Sequence, residues 1–384
     1  MRELEAIIAA HDQCKLHQTD CILATVVHVA GSSYRKAGAR MLIDETGMMT
    51  GAISGGCLEG DALRKALHAL HLGRNKLVTY DTSDENDAII GAQLGCNGVI
   101  QVLFEPIDYQ KENNPIELLR TLASSKQPMV AVSLFDLDRS KEQTGTVFTF
   151  HKNDFESTYH PKDILTTEMA EEIQMVFELQ HDHFSQYLFN NQVQSAFLEY
   201  SSPPVNLVLV GAGNDAQILS RMADELGWNV FVTDGRPTHA SESRFVSSCQ
   251  VIVSEPERIL QEVPISEQSV FVLISHNYQY DLAVLKAIYD KEEIPYIGIL
   301  GPRKKYLRML DDLKAEGIEF SSDQSNRIYA PVGLNLNAET PAEISLAILS
   351  EIQMVLTQST GQSLRDKKGP IHEKLTTEFK PVIS

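Results

Sequence analysis

Residues 206–220 read NLVLVGAGNDAQILS, and this stretch indicates how the second half of the chain folds. It holds the pattern G-x-G-x-x-A directly after an apolar run that predicts a strand and directly before a predicted helix. Gly211 permits a tight turn, Gly213 lets a pyrophosphate approach the backbone, and Ala216 lets the helix pack closely on the strand. Asn214 stands at the start of the helix, where unpaired N–H groups attract an anion.

An acidic residue occurs where a dinucleotide-binding sheet needs one. Asp234 follows Gly213 by 21 residues, at the end of the second predicted strand, where a carboxylate can accept hydrogen bonds from a ribose. These features together indicate a nucleotide or pterin-phosphate site, and the alternative is a Rossmann-like fold whose loop no longer binds phosphate. Arg236 could bind an additional phosphate, so the choice between NAD and NADP stays open.

Strands and helices alternate regularly in this half. Predicted strands cover residues 206–210, 229–233, 250–253, 270–274 and 295–299, and predicted helices cover residues 215–226, 281–289 and 304–315. Such alternation predicts a parallel sheet covered by helices on both faces. Thr340, Pro341 and Glu343 predict the capped start of a final helix.

Two further loops follow strands of this predicted sheet. His276 could exchange a proton near neutral pH, although a neighbouring carbonyl could satisfy a loop histidine equally well. Arg303 and Lys304 either bind an anion or form a solvated helix start. Because ligands bind outside the carboxyl ends of strands in open α/β sheets, both loops are expected to border one crevice.

The first half of the chain predicts an α+β arrangement. Its predicted helices cover residues 2–16, 63–70, 116–124 and 167–179, and its predicted strands cover residues 21–29, 39–44, 76–81, 99–104, 129–135 and 144–150. The segment 201–204 reads SSPP and predicts a short stiff linker. We therefore predict an N-terminal domain over residues 1–200 (motif core 1–108, extension 109–200), a Rossmann-like domain over 205–358 and a polar tail over 359–384.

The composition of the chain argues against nucleic acid and membranes as partners. Lys and Arg number 33 against 52 for Asp and Glu, a formal charge of −19, whereas nucleic acid and anionic membranes require a basic face. No apolar run approaches the roughly 20 residues of a membrane helix. The N-terminus lacks a secretory pattern, and the 5 cysteines are too scattered for a disulfide framework. We expect a cytoplasmic protein without nucleic-acid or membrane partners.

Polar loops of the first half are candidate binding sites. Residues 31–40 carry Ser32 and Ser33 beside three cations in an otherwise acidic chain, which suits an anionic ligand. Cys57 follows two glycines in the predicted first turn of a helix, where the peptide dipoles lower the pKa of a thiol. Cys96 also lies between glycines. The usual role of a lone cysteine is packing, which we expect for Cys14, Cys21 and Cys249; for Cys57 and Cys96 a functional role is favoured. No cysteine spacing fits a structural zinc site.

Three motifs occur in order ahead of the Rossmann-like half: GSSYRKAGARML at 31–42, ISGGCLE at 53–59 and LGCNG at 94–98. With SHN at 275–277, GILGPRK at 298–304 and PVGLNLNAETPAEI at 331–344, they resemble the XdhC/CoxI family, the accessory factors of xanthine dehydrogenase and related molybdenum hydroxylases. The resemblance covers about residues 5–355. Asn97 and Asn277 stand where the family commonly has glycine and aspartate.

The resemblance implies a protein that binds fresh molybdenum cofactor (molybdopterin), shields it from oxidation while its terminal sulfur is installed, and delivers it to the apo-dehydrogenase. It also implies a homodimer that contacts the sulfurating cysteine desulfurase. Cationic loops and a helix start suit the phosphate tail of the cofactor, and thiolates suit its metal end. The binding residues expected on these grounds are Ser32, Ser33, Arg35, Arg40, Gly55, Gly56, Cys57, Glu59, Cys96, Gly211, Gly213, Asn214, Asp234, His276, Arg303 and Lys304.

Two other functions stay open. One is an NAD(P)-dependent oxidoreductase that would bind NAD(P) in the Rossmann-like domain and use His276 as acid or base. The other is an interaction module whose ligand-binding sites have decayed. A chaperone without turnover is favoured, because no second catalytic constellation is recognisable and the N-terminal motifs have no place in an ordinary dehydrogenase. The only candidate catalytic residues are Cys57, Cys96 and His276, and no metal site of the chain's own is expected.

Overall fold

The computed structural model describes residues 2–31, 33–56, 58–81, 98–152, 166–189 and 192–368. Contacts within the chain divide it into a first unit, residues 3–203 with 364–368, and a second unit, residues 204–363 with Arg2. Each unit has its own sheets and its own apolar cores.

The first unit combines helices with two antiparallel sheets. Its elements are α1 (Arg2–His17), β1 (Cys21–Gly31), β2 (Arg40–Asp44), β3 (Met49–Gly51), α2 (Glu59–Leu72), β4 (Lys76–Asp81), β5 (Gly98–Pro106), α3 (Pro115–Ser124), β6 (Met129–Phe135), β7 (Gly145–His151), α4 (Thr167–Leu179), β8 (His183–Phe189) and β9 (Gln192–Ser201). The strands are ordered β3-β2-β1-β5-β4 in one sheet and β7-β6-β9-β8 in the other. This confirms the α+β prediction.

The sheet built around β1 is buried on both faces. Successive strand residues point to opposite sides, so Ile22 and Ala24 pack in the core that contains α2, whereas Leu23 packs in the core that contains α1 and α3. A strand enclosed on both faces has few polar positions, which explains the apolar run that predicted β1.

The hairpin of β8 and β9 was not predicted from the sequence. Strand β9 lies inside its sheet, pairs with β6 and β8, and contributes Ala196 and Leu198 to the core under α4. The apolar run in β9 is only residues 196–198, too short for periodicity to distinguish a strand from a helix.

The second unit is an alternating α/β structure. Its elements are β10 (Asn206–Val210), α5 (Asn214–Glu225), β11 (Asn229–Asp234), β12 (Gln250–Val253), α6 (Ile259–Glu262), β13 (Ser269–Leu273), α7 (Tyr278–Ile288), β14 (Tyr296–Ile299), α8 (Arg303–Ala315), α9 (Ser322–Asn326), β15 (Ile328–Tyr329) and α10 (Pro341–Leu356). The predicted capping box of α10 is present between Thr340 and Glu343. The short elements α6, α9 and β15 had no prediction.

The sheet of the second unit is parallel, with strand order β12-β11-β10-β13-β14-β15. Numbered from β10, this is the order 3-2-1-4-5-6 of dinucleotide-binding Rossmann domains. Leu207 and Leu209 pack in one core and Val208 and Val210 in the other, so helices cover both faces. The predicted parallel sheet is confirmed, and its order reverses between β10 and β13.

Candidate functional site

The glycine turn after β10 touches the loop after β13. Gly211 has φ +121°, and a Cβ atom there would lie 2.4 Å from the Cα of Ser275. Only glycine allows this approach, because both the backbone conformation and the space exclude a side chain. Gly211 therefore holds together the two loops at the point where the strand order reverses, the usual ligand position in such sheets.

The backbone after Gly211 leads directly into α5. Gly213 is the N-cap of that helix and has no side chain. The N–H groups of the first turn therefore donate no hydrogen bond to a capping side chain. Ala216 is fully buried, as its predicted packing role requires. The arrangement can hold an anion at the helix start.

Asp234 is bonded on all sides by this chain. Its carboxylate accepts hydrogen bonds from the backbone N–H groups of Ala212 and Arg236, at 2.9 Å each, and from Nε and Nη2 of Arg236 at 2.8 and 2.7 Å. Burial raises the pKa of this carboxyl, but the bonds from Arg236 and Ala212 outweigh burial and hold the pKa below its usual value. Asp234 therefore links the glycine turn to the end of β11.

Arg244 is a residue of this site that the sequence analysis missed. Its Nη1 donates to the carbonyls of Ala212 (2.6 Å) and His239 (2.7 Å), and its Nη2 donates to Oδ1 of Asn214 at 3.2 Å. The local sequence carries no signal for this contact, because Arg244 lies outside the predicted strands and helices. It places a cation beside the glycine turn.

His276 borders the same turn from the other side. Its backbone has φ +56°, its Nε2 lies 3.2 Å from Oδ2 of Asp215, and its side chain is 62% exposed. Asn277 caps α7 by accepting hydrogen bonds from the N–H groups of Gln279 and Tyr280. The imidazole thus faces solvent beside the start of α5.

A buried polar cluster joins the next two loops, and it too was missed. Asp281 is fully buried and accepts hydrogen bonds from the Ser275 hydroxyl at 2.5 Å and from Nζ of Lys305 at 2.6 Å. Nζ of Lys305 also donates to the carbonyl of Leu300 at 2.9 Å, so it ties the residue after β14 to Asp281 and, through Asp281, to Ser275 in the loop after β13. Arg303 and Lys304 are exposed at the start of α8. Lys305 therefore points inward while its two predicted neighbours face solvent.

A shallow cavity lies elsewhere in the second unit. It has a volume of about 360 Å³ and is lined by residues that follow β14 and β15 and by α10, among them Leu300, Val332, Asn335 and Ile344. None of the predicted binding residues lines it. The cavity therefore does not mark the site at the glycine turn.

In the first unit, the cations of residues 33–40 have carboxylate partners. Arg35 pairs with Glu3 at 2.5 Å, and Lys36 pairs with Asp182 at 3.2 Å. Arg40, which was expected to bind an anionic ligand, is 7% exposed and forms a bidentate pair with Glu199. Burial opposes its charge, but Glu199 outweighs burial and raises the pKa of Arg40. Its guanidinium is thus already neutralised inside the unit.

The Gly55–Gly56 turn is shaped by Glu59. One Glu59 oxygen accepts from the backbone N–H of Ser54 at 2.9 Å and the other from the Ser54 hydroxyl at 2.5 Å. Gly56 has φ +104° and an open Cβ position, whereas Gly55 packs under the Tyr34 ring. Helix α2 begins at Glu59.

Ser32, Cys57 and Cys96 lie outside the described residues. Cys14, Cys21 and Cys249 are buried, as expected, and burial raises the pKa of each thiol, to about 12 for Cys21. Among the residues that the structure describes, no cluster of three metal-ligating side chains occurs, and none of the helices is long and apolar enough to cross a membrane.

The geometry defines a class: an α/β protein whose second unit is a Rossmann domain with a glycine turn at the reversal of strand order. The sequence profile of the XdhC Rossmann domain matches residues 207–352, and that of the XdhC and CoxI family matches residues 15–81. A relative from Bacillus subtilis (strain 168), named as a probable subunit of xanthine dehydrogenase, is 30% identical over 337 residues, 87% of this chain and 93% of that protein. The chain belongs to the XdhC and CoxI family, as its motifs predicted.

Two further similarities extend over most of the chain. The molybdenum cofactor insertion chaperone PaoD of Escherichia coli (strain K12) is 22% identical over 334 residues, 87% of this chain and 83% of PaoD. The crystal structure of a xanthine dehydrogenase from Bacillus halodurans has a TM-score of 0.69 at 26% identity, and the alignment covers 94% of this chain and 98% of that one.

Proposed function

We propose that this protein is an accessory factor that binds molybdenum cofactor, protects it while its terminal sulfur is installed, and delivers it to an apoenzyme of the xanthine dehydrogenase type. One observation carries the proposal: 87% of the chain aligns with a relative named as a molybdenum cofactor insertion chaperone. The Bacillus subtilis relative, whose name refers to xanthine dehydrogenase, supports the class of recipient enzyme.

Each unit carries candidate binding groups of its own. The cofactor carries a phosphate, which the glycine turn and the start of α5 suit. Cys57 and Cys96 supply thiolates near the metal, and the exposed Gly56 backbone lets the cofactor approach the turn before α2. Arg35 can exchange Glu3 for an anionic ligand because exposed ion pairs are weak. The remaining candidates are Ser32, Ser33, Gly55, Glu59, Asp234, His276, Arg303 and Lys304.

The role includes partners. A chaperone that guards a labile cofactor during sulfuration must meet the enzyme that supplies the sulfur, so a cysteine desulfurase is the second proposed partner. We further propose that the protein acts as a homodimer in the cytoplasm, where the apoenzyme is assembled.

Anoxic retention tests this function. The purified full-length protein is mixed with molybdenum cofactor, filtered, and assayed for retained molybdenum and pterin, and the retained cofactor is then offered to apo-dehydrogenase. We expect stoichiometric retention and activation of the apoenzyme. Cys57→Ala and Cys96→Ala should lose retention or protection from air, whereas Cys14→Ala, a change at a buried thiol, should not. Retention no better than that of an unrelated acidic protein would refute the proposal.

An NAD(P)-dependent oxidoreductase is the alternative, and one observation favours it. His276 lies 3.2 Å from Asp215 beside the glycine turn, and a carboxylate can orient an imidazole for proton transfer. Under this alternative, NAD(P)H should bind and transfer hydride to a small carbonyl compound, and His276→Ala should abolish turnover. Hydride transfer by the wild type would reverse the ranking of the two functions.

A further inference from the structure

The fit of a dinucleotide to the second unit can be judged from Asp234. In dinucleotide-binding Rossmann domains, an acid at this position accepts hydrogen bonds from the ribose hydroxyls. A carboxylate offers about four acceptor positions. On Asp234 they are filled by four N–H groups of this chain, from Ala212 and Arg236, and the residue is 3% exposed. A ribose diol therefore finds no acceptor, and the ribose contact of NAD does not fit.

Arg236 takes three of the four acceptor positions on Asp234 that ribose hydroxyls would otherwise use. Two of its five N–H donors are bound to Asp234, while its side chain stays 49% exposed, so the guanidinium is held in place with donors left over. Fixed guanidinium groups bind phosphate oxygens well, because both partners are charged and the planar donors match the oxygens.

A second cation, Arg244, also favours the binding of a phosphate. Arg244 donates hydrogen bonds to the carbonyl of Ala212 and to the side chain of Asn214. Asp234 accepts a hydrogen bond from the backbone N–H of the same Ala212, so both residues contact the glycine turn. The pair of Asp234 and Arg236 is neutral as a whole, and Arg244 adds a positive charge beside it, while the Asp215 carboxylate at the start of α5 faces His276. A hydroxyl gains little from the charge of Arg244, whereas a phosphate gains much.

We infer that this part of the turn rejects an NAD-type ribose diol and binds a phosphate monoester, with Arg236 as the specificity-determining residue and Asp234 as the residue that positions it. Two ligands offer this chemistry: the 2′-phosphate of NADP and the terminal phosphate of the pterin cargo. Only the second of these rests on the proposed function.

The test compares NAD⁺ with NADP⁺, which differ by the 2′-phosphate, using equilibrium dialysis at low salt. Where nucleotide binds, NADP⁺ should bind at least about tenfold more tightly. Arg236→Gln should lose that preference, and Asp234→Asn should weaken it because the guanidinium is no longer held. Arg221→Gln is the matched control, since Arg221 is an exposed arginine on α5 whose Nε donates to the carbonyl of Gln217. Thermal unfolding of each variant verifies folding.

Anoxic retention of molybdenum cofactor by the same variants identifies the source of the phosphate. If no nucleotide binds but Arg236→Gln retains several-fold less cofactor than Arg221→Gln, the site takes the pterin phosphate. Equal or tighter binding of NAD⁺ than of NADP⁺, or identical behaviour of the two variants with every ligand, overturns the inference. If the wild type retains no cofactor, the proposed function fails, while the nucleotide comparison still decides the inference: NADP⁺ preference lost in Arg236→Gln supports it, and no such preference overturns it.

Discussion

Arg40 on β2 and Glu199 on β9 form a buried ion pair that joins the two sheets of the first unit. Nη1 of Arg40 lies 2.9 Å from Oε1 of Glu199, a second bond joins Nη2 to Oε2, and the side chains are 8% and 16% exposed. Gly38 has φ +89° beside them, and a Cβ atom there would lie 2.9 Å from the same Oε1. The loop that precedes β2 is therefore shaped around this pair.

Breaking the pair should destabilise the first unit. Arg40→Met leaves the partly buried Glu199 carboxylate without a counter-charge, and we expect a loss of about 3 kcal/mol in the free energy of unfolding, measured by urea titration. The control is Arg35→Met, which breaks the more exposed pair with Glu3 and should cost less than about 1 kcal/mol. Equal losses would show that Arg40 does not support the unit in this way.

Gly211 and Gly213 should respond differently to alanine. Gly211→Ala forces a Cβ atom onto the Ser275 backbone at a positive φ, so the second unit should lose about 3 kcal/mol of stability. Gly213 has an extended backbone with the nearest atom 3.7 Å away, so Gly213→Ala should fold normally and lose no more than about 1 kcal/mol, because alanine is a poorer N-cap than glycine. Thermal unfolding distinguishes the two, and a normally stable Gly211→Ala would contradict the close approach of the loops.

The buried thiols should resist alkylation. Burial raises the pKa of Cys21 to about 12 and raises the pKa values of Cys14 and Cys249 as well, so little thiolate is present near pH 8, about the pKa of a free thiol. In the native protein we expect rapid reaction only at Cys57 and Cys96, and none in the double variant Cys57→Ser/Cys96→Ser. Mass spectrometry after timed alkylation measures each site, with urea-unfolded protein as the reference. Rapid labelling of Cys21 in the native protein would contradict its burial.

Asp234 should make the second unit sensitive to acid. Its pKa is lower in the folded protein than its unfolded value of about 3.9. The carboxylate therefore adds stability above that pH, and the contribution is lost as the pH falls through the folded pKa. At neutral pH, Asp234→Asn should be less stable than the wild type by about 2 kcal/mol.

Urea titrations from neutral pH to about pH 3 check this difference, which should shrink below about pH 4. Asp311→Asn, a change at an exposed residue of α8, is the control and should show no such trend. A difference that stays constant over the whole pH range would argue against an ionised Asp234 in the folded unit.

Most of the architecture was predictable because its signals are local. The apolar run 206–210, the glycine pattern and the capping box at Thr340 each depend on residues within a few positions of one another, and helix and strand periodicity act over the same range. The parallel sheet of the second unit follows from such signals. Strand β9 was missed because its apolar run is short and its neighbours β6 and β8 cover it from both sides.

The partners of the charged side chains depended on the folded chain. Arg40 and Glu199 lie 159 positions apart, and Asp281 and Lys305 lie 24 apart, so no local pattern pairs them. Even Asp234 and Arg236, two positions apart, could equally have faced a ligand, because only the turn after β11 brings the guanidinium back onto the carboxylate. Secondary structure and the family thus follow from residues that are close together in the sequence. Whether a charged side chain is available to a ligand depends instead on neighbours that only the tertiary structure brings together.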